Sequence, residues 1–446
     1  MTVPYCDPVA CPAAGCDPVV CTGAGVPSNA ALYQRSVAAI PGGVNSSIRA
    51  FRSVGGTPYL VARAEGPRVW DVEGHQLIDL VQSYGAVILG HAHPVVVEAI
   101  GRAAAGGTSY GAPTPREMKL AEAVRERVPS CERVRLMSSG TEATSTAVRL
   151  ARGVTGRDRV VTFAGNFHGA TDALLAAGGS GVATLGIPGT AGVPAAAVSQ
   201  TVVAPYNVVP QLDEQVACVI VEPVAANMGV VAPVPGFLEG LRAACDRVGA
   251  LLVFDEVITG FRLARGGFQQ SSPVRPDLTC FGKVIGGGLP IGAVGGRAEV
   301  MEQLSPLGPV FHAGTLSGNP LATAAGLATL SLLDHEAYDR LAATAARLQA
   351  GLQGAMDGAG LPVTVPRVGT LVGLHCSLTP ATDYDSARTT DTALYARLFH
   401  ALLRRGVALA PGAYEALFPG LAHDDDVVDA IVTRAAEAAA EVAAAR

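Results

Sequence analysis

The stretches ALLVFDEVITGFR at 250–262 and LTCFGKVIGGGLPIG at 278–292 indicate the architecture of this chain most directly. Each begins with a short continuous apolar run, which is typical of a strand buried on both faces of a sheet. Helix-like segments, such as 141–152 and 236–248, alternate with these runs. This alternation predicts an α/β fold with a mostly parallel sheet and helices on both faces. Three further apolar runs follow the same pattern: RVRLMSS at 133–139, RVVTF at 159–163 and ACVIVEP at 217–223.

Four parts are predicted along the chain. Residues 1–27 form an extension rich in Cys, Pro and Ala, and 28–89 an N-terminal segment with a short helix and β-strands. Residues 90–320 form the large domain, which carries the parallel sheet. Residues 321–446 form a smaller α+β domain that opens with a helix, because Asn319 is suited to cap it.

Composition excludes several classes of protein. The 446 residues are 49% hydrophobic and 16% charged, so the chain is not disordered throughout. The net charge of −6 argues against nucleic-acid binding as the main function. We expect no membrane-spanning helix, because no run of about 18 uncharged apolar residues occurs. The N-terminus does not resemble a secretory signal, so the expected compartment is the cytoplasm.

The cysteines fall into two groups. Cys6, Cys11, Cys16 and Cys21 recur every five residues among Gly, Pro and Ala. Clustered thiols suit soft metal ions, but this spacing is wider than in the usual zinc sites, so a mobile extension is favoured and no metal site is predicted. The remaining five are expected to be reduced and buried, and the role of the repeat stays open.

Lysine is rare, since only Lys119 and Lys283 occur among 32 basic residues. Lys119 lies in a helical pattern and is expected on a solvated helix face. Lys283 stands between an apolar strand and three glycines, and it lacks the residues that a phosphate-binding P-loop requires. An amine in apolar surroundings has a lowered pKa and suits a Schiff base. Lys283 is therefore the candidate nucleophilic amine.

Other candidates lie at the ends of the predicted strands. Asp255 ends an apolar strand, where it would either pair with a cationic ring nitrogen or serve as a helix cap or salt-bridge partner. The turn 138–143 opens a helix and is suited to a phosphate. The alternative is an ordinary capping box of Ser139 with Glu142, and the two are compatible. Phe167 and His168 would lie beside an aromatic cofactor or in the core. The pair His91 and His93 is interpreted as structural.

Taken together, these motifs resemble the class III aminotransferases, pyridoxal-phosphate enzymes of fold type I. The resemblance runs from about residue 28 to the C-terminus and is strongest to aminomutase members of the family. The motifs common to the family are SSGTEA, GNFHG, VEPVAANMG, DEVITGFR, FGKVIGGGLPIG and AGTLSGNP. Those typical of the aminomutases are 40–51, 88–94, 109–124, 179–194 and 410–423.

The resemblance implies a role for each matching residue. Lys283 would carry the Schiff base and move protons, and Asp255 would hold the pyridine nitrogen. Thr315 would reach the phosphate from the neighbouring subunit of a homodimer. The other cofactor contacts implied are Ser139, Gly140 and Thr141 at the phosphate, Phe167 and His168 at the ring face, and Glu222 and Asn227 near the ring hydroxyl. The substrate contacts implied are Ser46 and Arg49 at the carboxylate, Tyr84, and Glu415 near the amine.

The sequence departs from the family at several of these positions. The family usually has Tyr where this chain has Phe167, and Trp where it has Tyr84. Ala170 replaces a common His, and Ala226 a common Gly. Losing the hydroxyl at 167 preserves stacking but removes a polar contact.

The implied reaction moves an amine between adjacent carbons of one molecule. It would convert (S)-4-amino-5-oxopentanoate to 5-aminolevulinate through a diamino intermediate, with pyridoxal 5'-phosphate cycling with pyridoxamine 5'-phosphate. Residues 178–194 are suited to a closing lid or to a passive loop. Two alternatives are an aminotransferase using a separate 2-oxo acid and a non-catalytic binding protein.

Overall fold

The computed structural model describes residues 28–176 and 190–445. The cysteine repeat and residues 178–189 of the predicted lid lie outside the described residues. No helix within the described ranges is both long and apolar enough to cross a membrane.

Two sheets and a short hairpin contain the strands of the described chain. In chain order, the strands are β1 (Val61–Glu65), β2 (Arg68–Asp71), β3 (Gln76–Asp79), β4 (Arg133–Met137), β5 (Arg159–Phe163), β6 (Thr201–Ala204), β7 (Val216–Val221), β8 (Leu251–Asp255), β9 (Leu278–Gly282), β10 (Gly292–Gly296), β11 (Arg367–Val368), β12 (Leu371–Val372) and β13 (Val407–Ala408).

The α-helices lie mostly between these strands and at the C-terminal end. In chain order, they are α1 (Asn29–Ala39), α2 (Pro94–Ala105), α3 (Pro115–Arg127), α4 (Gly140–Thr155), α5 (Ala195–Val198), α6 (Phe237–Val248), α7 (Ala298–Met301), α8 (Pro320–Ser331), α9 (His335–Gly358), α10 (Tyr384–Ala387), α11 (Thr392–Arg404) and α12 (Asp425–Ala444).

The larger sheet has the strand order β4-β10-β9-β8-β7-β5-β6. The strands from β9 to β6 are parallel, whereas β10 runs antiparallel to both of its neighbours. The alternation of side chains along β7 shows that both faces are covered. Cys218 and Ile220 pack with α4, and Val219 and Val221 pack with α6. The predicted α/β fold with a mostly parallel sheet is confirmed.

Strand β10 was not predicted, because its sequence GAVGG is typical of a turn. It is nevertheless buried along its whole length between β4 and β9. A Cβ atom on Gly296 would lie 2.4 Å from the carbonyl oxygen of Asp277, and one on Gly295 would lie 2.7 Å from the sulfur of Cys131. The glycines therefore allow close packing that a larger residue would prevent.

A second sheet, β1-β2-β3-β13, joins the N-terminal segment to the C-terminal part of the chain. Strand β13 pairs parallel to β3, which places Ala408 opposite Asp79. Helices α9, α11 and α12 form their own apolar core beside this sheet. Helix α8 is capped as predicted, since Asn319 Oδ1 accepts a hydrogen bond from the Ala322 backbone N–H at 2.9 Å. The division into domains at 89 and 320 remains a prediction.

Candidate active site

Lys283 follows β9 directly, at the C-terminal edge of the parallel strands. Its φ of +48° lies in the left-handed region, so the surrounding packing holds it in a strained conformation. Burial lowers the pKa of the Lys283 ammonium group, although the carboxylates of Asp255, Glu222 and Glu415 act in the opposite direction. A larger share of the side chain is therefore the neutral amine near neutral pH than for an exposed lysine.

Asp255 ends β8, the strand next to β9, and is 4% exposed. Its Oδ1 accepts a hydrogen bond from the Val257 backbone N–H at 3.0 Å. Its Oδ2 lies 2.7 Å from Nδ1 of His168, whose own side chain is buried. The other ring nitrogen of His168, Nε2, has no hydrogen-bond partner among the described residues. The pair therefore presents a carboxylate of fixed orientation.

The turn before α4 lies at the same edge of the sheet. Ser139 caps α4, because its hydroxyl accepts a hydrogen bond from the Glu142 backbone N–H at 3.1 Å. The Glu142 carboxylate accepts from the Ser138 N–H at 3.0 Å and not from that of Ser139, so only half of the capping box between Ser139 and Glu142 is formed. The N–H groups in the first turn of a helix lack helical partners and attract anions. Gly140 and Thr141, the first residues of α4, lie in this turn.

Glu222 directly follows β7 and fixes two of the other lining residues. Its carboxylate accepts hydrogen bonds from the backbone N–H of Phe167 at 2.6 Å and from the side-chain amide of Asn227 at 2.8 Å. Burial raises the pKa of Glu222 to about 7, while His168 lowers it and Asp255 raises it. The Phe167 ring stays 40% exposed. An aromatic surface thus remains available beside a fixed carboxyl group.

These residues surround one cavity of about 360 Å³. Nine residues predicted to bind the cofactor line it: Ser139, Gly140, Thr141, Phe167, His168, Glu222, Asn227, Asp255 and Lys283. Glycine is required directly after the lining residue Ile291, because a Cβ on Gly292 would lie 2.0 Å from the Ser139 carbonyl oxygen. The cavity combines an amine, carboxylates, an anion-binding helix terminus and an aromatic ring.

The predicted substrate residues Ser46, Arg49, Tyr84 and Glu415 are not among the lining residues of this cavity. The charges of Glu415 and Arg49 act on the Tyr84 hydroxyl in opposite directions. Burial raises the pKa of its hydroxyl, Glu415 raises it further, and Arg49 lowers it. Glu415 also acts on Lys283, which links this group to the amine. Ser46 adjoins Arg49, whose backbone N–H donates to the Ser46 carbonyl oxygen at 3.0 Å.

Thr315 does not approach the cavity of its own chain. It lies in the exposed segment between α7 and α8. Apolar side chains of this segment are also exposed, with Leu307 at 78%, Phe311 at 69% and Leu316 at 52%.

Sequence reasoning missed two contributors to the site. Thr144 lines the cavity, and its hydroxyl donates to the His168 carbonyl oxygen at 2.6 Å. Its position three residues after Thr141 on one helix was a usable signal. Arg262, the last residue of the motif at 250–262, was assigned no role from the sequence. In the structure it is completely buried near Lys283. No local pattern marks this arginine, because its contacts come from distant parts of the chain.

Comparisons with known proteins agree with this geometry. The family model "Aminotransferase class-III" matches residues 51–438. A protein from Bordetella avium (strain 197N), named glutamate-1-semialdehyde 2,1-aminomutase, is 51% identical over 415 residues, which are 91% of this chain and 97% of the relative.

Solved structures show the same architecture. An omega-transaminase from Sphaerobacter thermophilus superimposes with a TM-score of 0.86 at 33% identity, over 94% of this chain and 98% of that one. A glutamate-1-semialdehyde-aminomutase from Pseudomonas aeruginosa PAO1 superimposes with a TM-score of 0.82 at 27% identity, over 93% of this chain and 94% of that one. A variant of the latter was solved in complex with PMP. The resemblance inferred from the motifs is confirmed: this chain belongs to the class III aminotransferase family.

Proposed function

We propose that this chain is an intramolecular aminotransferase that converts (S)-4-amino-5-oxopentanoate, or glutamate 1-semialdehyde, to 5-aminolevulinate. The 51% identity to an aminomutase, which extends over nearly the full length of both chains, carries this proposal. The cofactor-site residues are shared among aminotransferases in general. The choice of reaction therefore rests on the similarity of the whole chain.

The cavity fits pyridoxal 5'-phosphate, cycling with pyridoxamine 5'-phosphate. Nε2 of His168 is a buried polar atom at the cavity wall, with no hydrogen-bond partner in the part of the chain that the structure describes. Ser139, Gly140 and Thr141 would hold the phosphate, and Asp255 the ring nitrogen. Phe167 and His168 would flank the ring, with Glu222 and Asn227 toward its hydroxyl. The residue set thus supplies a partner for each polar part of the cofactor.

When bound, the cofactor supplies a carbonyl carbon that exchanges amino groups and a ring that withdraws electrons. Lys283 Nζ accepts and returns protons as a general base and acid, because its lowered pKa keeps part of the amine neutral. Asp255, oriented by His168 and the Val257 N–H, maintains a negative charge at the ring nitrogen position. Thr144 fixes the backbone of His168 and so the orientation of this pair.

At the other end of the site, Arg49 would bind the substrate carboxylate through its two-pronged guanidinium group. Ser46 would donate to the same carboxylate. Glu415 would lie near the substrate amine, with Tyr84 beside it. The electrostatic coupling of Tyr84 to both Glu415 and Arg49 supports this grouping.

The active form we propose is a homodimer in the cytoplasm. Thr315 would complete the phosphate site of the neighbouring subunit. Leu307, Phe311 and Leu316, in the same exposed segment, support this arrangement, because large exposed apolar side chains are common at protein interfaces. The five described cysteines are free and buried, which suits a reducing compartment.

The test is a turnover assay of the purified holoenzyme with glutamate 1-semialdehyde and no added amino donor or acceptor. We expect 5-aminolevulinate to accumulate over many turnovers. If product forms only when a 2-oxo acid or a separate amine is supplied, the chain is an ordinary aminotransferase of the family and the proposal is wrong. A Lys283→Ala protein measured in parallel excludes uncatalysed conversion.

A further inference from the structure

Arg262 bridges two distant parts of the chain beside the active site. It lies in the turn after β8 and is 0% exposed. One guanidinium nitrogen, Nη2, donates to the Gly85 carbonyl oxygen at 3.0 Å, and the other, Nη1, donates to the Pro419 carbonyl oxygen at 3.2 Å. Gly85 directly follows Tyr84, and Pro419 lies four residues after Glu415.

The first of these segments is held in an unusual conformation. Gln82, Ser83 and Tyr84 are consecutive residues with φ values of +44°, +53° and +55°. Left-handed backbone is unfavourable for residues other than glycine, so a run of three persists only where neighbouring groups enforce it. Asp79 holds the start of the run, because its carboxylate accepts from the Gln82 N–H at 3.1 Å. Arg262 holds its end at Gly85.

The second segment is locked against the first through Phe418. The Arg262 guanidinium carbon lies 5.3 Å from the centre of the Phe418 ring. A Cβ on Gly85 would lie 2.8 Å from the same ring. Arg262, Phe418 and Gly85 therefore interlock, and a displacement of one requires a displacement of the others.

Burying the charged side chain of Arg262 at this position is energetically unfavourable. Its two acceptors are neutral carbonyl groups, and its Nε is buried without a hydrogen-bond partner among the described residues. Burial lowers the pKa of its guanidinium group to about 10. A buried charge without full compensation destabilises a fold, and an apolar side chain of similar volume would avoid that cost. The local packing alone does not account for an arginine.

The backbone of this turn is also fixed from the C-terminal side. Thr370 donates its hydroxyl hydrogen to the Arg262 carbonyl oxygen at 3.0 Å, and Tyr338 donates to the Phe261 carbonyl oxygen at 2.7 Å. The guanidinium group therefore extends from a fixed backbone to two acceptors that are distant in sequence, one before it and one after it.

We propose that Arg262 is a positioning residue, which sets Tyr84 and Glu415 against Lys283 by binding the carbonyl groups of Gly85 and Pro419. This inference rests on the proposed function, because it assumes that Tyr84 and Glu415 face the substrate. It assigns Arg262 no contact with the substrate or the cofactor.

The test replaces Arg262 by Lys in the holoenzyme, which retains a positive charge but offers one shorter-reaching nitrogen where Arg262 uses Nη1 and Nη2 separately. We expect amide hydrogen exchange at residues 82–88 to become at least about 10-fold faster, because Arg262 no longer holds the left-handed run. We expect kcat/KM for the semialdehyde to fall at least about 10-fold, while the Kd for pyridoxal 5'-phosphate stays within about threefold of wild type.

Arg157→Lys is the matched control. Arg157 also donates to two main-chain carbonyl groups, those of Val216 and Val248, but lies at the opposite edge of the sheet. We expect this variant to keep wild-type exchange at 82–88 and wild-type kcat/KM. Equal effects of both variants would overturn the inference, as would unchanged exchange at 82–88 in Arg262→Lys.

If Arg262→Lys does not fold, Thr370→Val replaces it as the test variant. This substitution removes only the hydrogen bond from Thr370 to the Arg262 carbonyl oxygen. We expect the same two readouts to change by about two- to fivefold, and no change in either contradicts the inference. Wild-type protein that produces no 5-aminolevulinate would instead contradict the proposed function, while the exchange measurement would still test whether Arg262 holds residues 82–88.

Discussion

The two ends of the active site are built in different ways. At the cofactor end, Lys283, Asp255 and Ser139 directly follow or adjoin strands of one sheet, and the hydrogen-bonded ladder fixes their spacing. At the proposed substrate end, Arg49 and Tyr84 lie in single turns of 3-10 helix in the N-terminal part of the chain, and Glu415 lies in a loop of the C-terminal part. The first end is rigid because regular structure defines it, whereas the second depends on individual contacts such as those of Arg262. Substitutions at the two ends should therefore fail in different ways.

The largest effect is expected at the cofactor end, for Lys283→Ala. Loss of the amine removes the proton-transferring group, so we expect the rate of 5-aminolevulinate formation to fall about 10⁴-fold or more. Lys119→Ala is the matched control, since Lys119 is exposed on α3, and it should retain wild-type activity. Activity of Lys283→Ala within 100-fold of wild type would be incompatible with the assigned role.

The next effect is expected for Asp255→Asn. The amide preserves the shape but loses the charge at the ring nitrogen position, and we expect kcat to fall about 10³-fold. Asp277→Asn changes another buried carboxylate, which pairs with Arg242 and Arg297 away from the site. It should lower the free energy of unfolding, by about 3 kcal/mol, and leave kcat unchanged. Steady-state kinetics and urea unfolding of both variants measure this contrast.

Glu222 should make the stability of the apoprotein depend on pH. Its pKa is about 7 in the fold against an ordinary value of 4.5, so the native state holds an extra proton between these pH values. The free energy of unfolding should therefore decrease as the pH rises from 4.5 through 7, by about 3 kcal/mol from this group.

Urea unfolding at pH 5 and pH 8 measures this dependence. Glu222→Gln should remove that part of the decrease, whereas Glu239→Gln, at an exposed position on α6, should leave it unchanged. A decrease of the same size in Glu222→Gln and wild type would show that another group causes it.

The smallest effect is expected at the substrate end, for Arg49→Lys. A lysine provides a single charged group where arginine offers a fork, so we expect KM for the semialdehyde to rise about 10- to 100-fold. The Kd for pyridoxal 5'-phosphate should not change, because the cofactor end is built separately. Arg52→Lys is the neighbouring control on an exposed side chain. An equal loss of cofactor affinity in Arg49→Lys would show that the two ends are not independent.

Much of the cofactor end was predictable because it follows from local patterns. Short apolar runs identified β5 and β9 with their observed bounds, and polar residues at strand ends identified Asp255 and Lys283. Parallel strands bring their C-terminal ends to one edge, so these residues had to be neighbours. The roles of the matching residues came from the family resemblance and remain to be tested by substitution.

Strand β10 and Arg262 could not be predicted in this way. The sequence GAVGG is typical of a turn, and it forms a strand only because β4 and β9 leave room for a backbone without side chains. Nothing in the sequence around Arg262 distinguishes it from a surface arginine, because the groups that bury it are distant in the chain.

The amino-acid sequence was sufficient to establish the α/β architecture. It also identified Lys283 as the candidate amine, because the chain has only two lysines. These follow from hydrophobic periodicity and from the chemistry of one side chain, both of which are local properties. The left-handed run at Gln82–Tyr84 and the contacts of Arg262 with Gly85 and Pro419 arose from the folded structure alone. They depend on groups far apart in the chain, whose meeting no local pattern encodes.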